Sequence, residues 1–169
     1  MYLLIKLFYE ICLFKKGPQD VPISRGLLFL LIPCYAGVSF LILILNTDVI
    51  TAVLQVLVEL VLVLGLTNMI LLMAKKESRY LQTVSALIGT DTIISFFAIP
   101  VMATLVGQGS VNSLVVIVIL MIWHWLVSGA IFSHALERPL AFGIGVAFLY
   151  ILVSYQVMGW LFPEIIMTE

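Results

Sequence analysis

The sequence predicts an all-α protein, a polytopic integral membrane bundle of five transmembrane helices preceded by an N-terminal interfacial amphipathic helix. Of its 169 residues, 63% are hydrophobic and only 10% are charged, whereas a soluble domain carries about 25% charged residues. The apolar residues fall into five runs, each close to the roughly 20 residues that a helix needs to cross the hydrocarbon core. Short polar turns separate the runs, so consecutive helices must be antiparallel neighbours.

Residues 1–26 are predicted to form an interfacial helix and a linker. The segment Met1–Lys16 is apolar but too short to cross a membrane. Lys6 and Glu10 are four residues apart and therefore share one face of a helix. This pattern favours a helix that lies in the membrane interface. A Gly-Pro pair at positions 17 and 18 ends it and begins an extended linker.

Residues 27–169 are predicted to form the transmembrane domain. Its turns contain only a few residues, so the helices are expected to run up and down in one compact bundle. The sequence contains neither a direct nor an inverted repeat, and an odd number of spans argues against a two-fold repeat architecture. The five spans are expected at about 27–45, 50–73, 81–105, 113–135 and 141–162.

The basic residues all lie on one side of this topology. The turns on the other side, at about 46–49 and 108–112, contain no Lys or Arg. The positive-inside rule then predicts an integral membrane protein, in a bacterial inner membrane, with a cytoplasmic N-terminus and an external C-terminus. The basic loops are expected to meet lipid headgroups, and a net charge of −1 gives no reason to expect nucleic-acid binding. The eight basic residues are Lys6, Lys15, Lys16, Arg25, Lys75, Lys76, Arg79 and Arg138.

Three ionisable residues are predicted to lie near the middle of the membrane. Glu59, Asp91 and His124 each lie about 14–16 Å from one end of a span, at 1.5 Å per residue, and the hydrocarbon core is about 30 Å thick. A charged side chain there costs roughly 2.5–3.5 kcal/mol, so these residues should face inward and bond with polar neighbours. The neighbours at helical spacing are Gln55, Thr92, Ser95 and Ser128.

This midplane cluster allows three interpretations. It can be a satisfied polar network that fixes the register of the helices. It can instead face a partner subunit, or it can be a proton or ion relay built from two carboxylates and a histidine. The three residues have no local spacing motif of a metal site, so no metal and no other cofactor is expected.

Small residues four positions apart indicate where helices pack closely. The sequence has no nucleophile elbow, glycine-rich phosphate loop, paired-histidine zinc motif or CxxC, and the spans leave no room for a soluble catalytic domain, so no enzyme activity is expected. The small residues expected at helix contacts are Gly129, Ser133, Ala141, Gly143, Gly145 and Ala147.

From about Tyr80 onward the chain resembles the Yip family of five-span membrane proteins. The resemblance depends on the basic entry Lys75–Leu81, a third span with Pro100 near its end, the Trp-bearing fourth span at Trp123–Trp125, and a fifth span rich in small residues. It implies a non-enzymatic membrane protein linked to trafficking or to other membrane components. The family's longer soluble N-terminal region is missing here, so the resemblance implies partner binding rather than contact with a Rab-like GTPase.

The sequence thus favours a non-enzymatic accessory or scaffold subunit that binds a larger membrane protein complex. Its partner would be another integral membrane protein or a second copy of the chain, with membrane lipids around it. The alternative is a small proton- or ion-conducting transporter subunit that uses Glu59, Asp91 and His124.

We predict that a reporter fused after Glu169 reads as external and that one inserted in Lys75–Tyr80 reads as cytoplasmic. The physical reason is that every basic residue lies on one side of the five spans. Paired phosphatase and fluorescent-protein fusions at both sites measure the sidedness. A cytoplasmic signal from the C-terminal fusion would contradict the five-span topology.

Overall fold

The computed structural model describes residues 2–109 and 111–163, and its regular elements are helices. Five of them are long and apolar enough to cross a membrane, so the all-α fold predicted for a polytopic membrane bundle is confirmed. Single 3₁₀ turns at Pro18–Asp20 and Glu77–Arg79 precede the first and third spans. The helices are α1 (Tyr2–Cys12), α2 (Arg25–Leu43), α3 (Val49–Met73), α4 (Tyr80–Gln108), α5 (Val111–Leu136) and α6 (Leu140–Leu161).

Side-chain caps and a glycine set several helix ends. The Ser24 hydroxyl accepts a bond from the Leu27 N–H at 3.3 Å, so α2 begins at Arg25, two residues before the predicted start. The Asp48 carboxylate accepts bonds from two N–H groups at the start of α3, both at 3.0 Å. Such side chains satisfy N–H groups that the first turn leaves unpaired. Gly109 ends α4 with φ of 59°, a left-handed conformation that favours glycine.

The end of the bundle that carries Arg25, Lys76, Arg79 and Arg138 is here called the basic end. An ion cluster joins the two turns at this end. Glu137 accepts bonds from both Lys76 and Arg79. The hydrogen bond from Lys76 and the charge of Arg79 hold the pKa of Glu137 below its usual value. The Arg79 guanidinium also donates to the carbonyls of residues 134 and 135, at 3.0 and 3.3 Å, which caps the last turn of α5.

The bundle is packed far more tightly toward the basic end than toward the opposite end. Every residue of α4 from Thr83 to Thr90 is buried, whereas none of its described residues after Ile94 is. In α5 no described residue between Ser113 and Val127 is buried, although seven from Val127 onward are. The core is therefore concentrated in the half of the bundle nearer the basic end.

The N-terminal helix α1 is part of this packed half. Phe8, Ile11 and Cys12 are buried, and the Phe8 ring occupies the space beside Gly89, where an added Cβ would lie 2.5 Å from it. Gly89 is about 14 Å along α4 from its start, at 1.5 Å per residue. The helix α1 thus packs against the bundle, while its position in the membrane interface stays a prediction.

Small residues of α5 and α6 form a close contact between these two helices. A Cβ added at Gly143 would lie 2.2 Å from the Gly129 carbonyl oxygen and 2.7 Å from the Ser133 Cβ. Ala147 is fully buried one turn further along α6. Ala141 and Gly145 are exposed, and a Cβ at Gly145 would meet nothing within 4 Å. They take no part in this contact, because an offset of two residues turns them to the other side of α6.

We predict that Gly89→Ala loosens the docking of α1, because the new methyl group would overlap the Phe8 ring. Overpacking typically costs about 1–3 kcal/mol, so modification of Cys12 by a thiol reagent should become roughly tenfold faster. In the native chain Cys12 is fully buried, and burial raises the pKa of its thiol to about 12.

The matched control for Gly89→Ala is Gly65→Ala, since a Cβ at Gly65 meets nothing within 4 Å. Both variants would carry Cys34→Ala, because Cys34 is exposed. Equal protection of Cys12 in the two variants would show that the contact with Gly89 does not hold α1.

Candidate functional site

Asp91 of α4 and His124 of α5 form a hydrogen-bonded pair near the middle of the bundle. The His124 Nδ1 lies 3.0 Å from the Asp91 Oδ1. The Ser95 hydroxyl, one turn along α4, donates to the same oxygen at 3.4 Å. Because a carboxylate only accepts, the bond places a hydrogen on Nδ1, and Nε2 carries the lone pair of the neutral ring. The structure therefore brings together three of the residues predicted for the midplane cluster.

Glu59 of α3 lies beside this pair in a group of its own. Its carboxyl faces the Tyr35 and Ser39 hydroxyls of α2. The charge of Asp91 is within electrostatic range of Glu59, Tyr35 and Tyr150. In residues 2–109 and 111–163, no group of three or more His, Cys, Asp or Glu side chains could hold a metal ion.

The remaining predicted cluster residues have different environments. Gln55 is fully buried on the same face of α3 as Glu59, and neither amide atom has a partner among the described residues. The Thr92 hydroxyl donates to the Ile88 carbonyl at 2.6 Å, so its bond is made within its own helix. Ser128 is buried one turn from His124, toward the basic end.

Two tryptophans position His124 on α5. The Trp123 Nε1 donates to the Cys12 carbonyl at 3.0 Å, which joins α5 to α1. The Trp125 Nε1 donates to the Ile144 carbonyl at 3.1 Å, which joins α5 to α6. The ring of Trp125 also lies 6.0 Å from that of Phe148, a distance typical of aromatic pairs. The residues on both sides of His124 are thus fixed to neighbouring helices.

The Asp91–His124 pair lies at the border between the packed and the open half of the bundle. The two side chains keep 25% and 29% of their surface exposed. The pair can hold a proton between its two members, and the neutral ring can accept a second proton at Nε2. When only the shared proton is present, the pair carries one negative charge. When the second proton is bound as well, the pair is neutral overall.

The predicted cluster omitted Tyr35 and Ser39. Tyr35 and Ser39 are four residues apart on α2, so they share a helix face, and this spacing was the signal available. Their relation to Glu59 depends on how α2 packs against α3, which the sequence does not specify.

No family model, curated protein or solved structure matches this chain. The resemblance to the Yip family therefore stays a prediction.

We predict that Asp91→Leu destabilises the bundle more than Asp91→Asn. The amide oxygen of Asn can still accept from His124, whereas Leu leaves both the imidazole and the Ser95 hydroxyl without this partner. Loss of one hydrogen bond inside a membrane costs about 0.6 kcal/mol on average and at most about 2. The free energy of unfolding, measured by detergent titration, should differ between the two variants by this amount.

Thr92→Val is the control for the Asp91 variants, because the Thr92 hydroxyl bonds within its own helix. It should leave the free energy of unfolding nearly unchanged. An Asp91→Leu variant as stable as Asp91→Asn would mean that the pair does not hold α4 and α5 together.

Proposed function

We propose that this chain is a non-enzymatic accessory or scaffold subunit of a bacterial inner membrane, with its N-terminus in the cytoplasm. It acts by lateral binding to a larger membrane complex or to a second copy of itself. One observation carries the proposal: no described residue is buried past Ile94 in α4, between Ser113 and Val127 in α5, or past Ala147 in α6. Three neighbouring helices of this kind offer a surface on which a further transmembrane helix can pack.

In this proposal the polar cluster serves the fold. The bonds of Asp91 with His124 and Ser95 set the register of α4 against α5. Trp123 and Trp125 fix α5 against α1 and α6. The packed half then holds the uncovered halves of the helices in one orientation. A docking surface needs such a fixed orientation, because ordering it on binding would cost affinity.

A proton- or ion-conducting subunit is the second candidate, and the Asp91–His124 pair is the observation that favours it. Ionisable residues inside a membrane often mark such pathways. Conduction needs a route to both sides of the membrane, and the buried run Thr83–Thr90 closes the side toward the basic end. This closed side favours the scaffold proposal over conduction.

Purification in mild detergent tests the two candidates. The scaffold proposal predicts that the chain leaves the membrane with a stoichiometric partner or as an oligomer. Phe97→Ala, in the uncovered half of α4, should lower the yield of this complex. Met69→Ala, toward the basic end of α3, is the matched control, since the native side chains are 50% and 57% exposed.

Proton flux in reconstituted vesicles completes the comparison. The scaffold proposal predicts no flux in the native chain and normal assembly of Asp91→Asn. Flux in the native chain that disappears in Asp91→Asn at normal yield would contradict it and support conduction, because only a titratable group can pass a proton. A monomer without partner or flux would contradict both candidates.

A further inference from the structure

Helix α6 turns one side to the bundle and the other side to the membrane. Gly143 and Ala147 are buried against the neighbouring helices, whereas the other side is exposed along most of the helix. Its residues follow each other at alternating spacings of three and four, the pattern along which a second helix can pack. This α6 seam consists of Phe142, Gly145, Leu149, Leu152 and Gln156, all exposed.

Gln156 places an amide on the α6 seam inside the membrane. The helix has 22 residues and is about 33 Å long, close to the roughly 30 Å of the hydrocarbon core. Gln156 lies about 8 Å before the end of α6 at Leu161. The Cα–Cβ bonds of a helix tilt toward its N-terminus, so this side chain leans away from the nearer membrane surface. An amide in lipid is costly unless a neighbouring helix supplies a hydrogen-bond partner.

Gly145 gives the α6 seam a place where another helix can come close. A Cβ added there would meet nothing within 4 Å, whereas one added at Gly143 would lie 2.2 Å from a neighbouring atom. The contacts of the described chain therefore require glycine at 143 but not at 145. Small residues on transmembrane helices let a partner backbone approach closely. Further along α6, a shallow concavity lined by Tyr155, Gly159 and Trp160 leaves room for a partner side chain.

A second copy of this chain supplies what the α6 seam needs at the right depth. Two copies in one membrane have the same orientation, so a two-fold axis along the membrane normal brings each residue opposite itself. Gln156 then faces Gln156 of the second copy, and an amide carries both donors and an acceptor. Gly145 faces Gly145, so the backbones approach where neither helix has a side chain. A different protein would need a polar group at this same depth.

We infer that α6 forms the interface of a parallel homodimer, in which the α6 seams of two copies pack together and the two Gln156 amides hydrogen-bond with each other. This inference rests on the proposed scaffold function and names its partner as a second copy. The spacing of the seam favours a crossing angle of about 20°. The single amide fixes the register of the two helices, because a shift along the axis would leave both amides in lipid.

Helix α3 carries a comparable pair of residues and provides the control. Gly65 and Asn68 are also exposed, and a Cβ added at Gly65 would meet nothing within 4 Å. Asn68, however, lies one turn beyond Leu64 toward the basic end. The Leu64 carbonyl accepts a bond at 3.3 Å from Tyr80, the first residue of α4. Asn68 is thus level with the start of α4, where headgroups and water can satisfy its amide.

Energy transfer between two populations of the full chain, labelled at the exposed Cys34 and mixed in vesicles, measures the dimerisation constant. Gly145→Leu and Gln156→Leu should each weaken dimerisation roughly tenfold, as expected for the loss of a close contact or of a hydrogen bond between membrane helices. Gly65→Leu and Asn68→Leu should leave it nearly unchanged. Leucine at 145 has open space and is the better helix former, so a folding defect is not expected.

Disulfide cross-linking in the same vesicles locates the interface. The Leu152→Cys variant probes the α6 seam, and the Leu57→Cys variant is the control on α3. The native side chains are 42% and 54% exposed, and both lie about 12–14 Å from the ends of their helices at the α2–α3 turn side. Both variants would carry Cys34→Ala. A membrane-permeant oxidant should link the Leu152→Cys variant into a covalent dimer and leave the Leu57→Cys variant monomeric.

The other outcomes separate this inference from the proposed function. Equal weakening by the α6 and α3 substitutions, or a covalent dimer through Leu57→Cys but not Leu152→Cys, would overturn the α6 interface and leave an oligomeric scaffold standing. A stoichiometric complex with another protein, without a link at Leu152→Cys, would do the same. A chain that stays monomeric and without a partner would overturn both.

Discussion

A carboxylate and an imidazole in the middle of a membrane must find their partners inside the protein, and this constraint organises the structure. Asp91 and His124 satisfy each other at 3.0 Å, in a region where an isolated charge would cost several kcal/mol. Their bond requires α4 and α5 to lie side by side at a single register. The indole N–H groups of Trp123 and Trp125 extend this constraint to α1 and α6.

The uneven packing of the bundle follows from where the contacts between its helices lie. The N-terminal helix fills the space beside Gly89 and bonds to Thr90, so the half of the bundle toward the basic end has an additional helix. Arg79 and Glu137 join the two turns at that end. The opposite half has no comparable element among the described residues, and its helices stay largely uncovered. The pair lies at the border between the two halves, where its side chains stay about a quarter exposed.

The sequence predicted the fold well because hydrophobic runs and short turns depend on local composition. It also predicted that Asp91 and His124 lie at one level along the bundle, where they meet at 3.0 Å, since helical rise converts residue number into distance. Contacts between distant helices could not be predicted in the same way. That Thr92 bonds within its own helix, and that Glu59 faces Tyr35 and Ser39 while it lies beside the pair, depends on helix rotation, which packing decides.

A double-mutant cycle between Asp91→Ala and His124→Ala tests most directly whether the pair joins α4 and α5. The free energy of unfolding would be measured for the native chain, both single variants and the double variant in the same detergent. Direct contact predicts a coupling energy of about 1 kcal/mol, within the range found for hydrogen bonds between membrane helices. Effects that add to within about 0.3 kcal/mol, as for separated residues, would contradict the account.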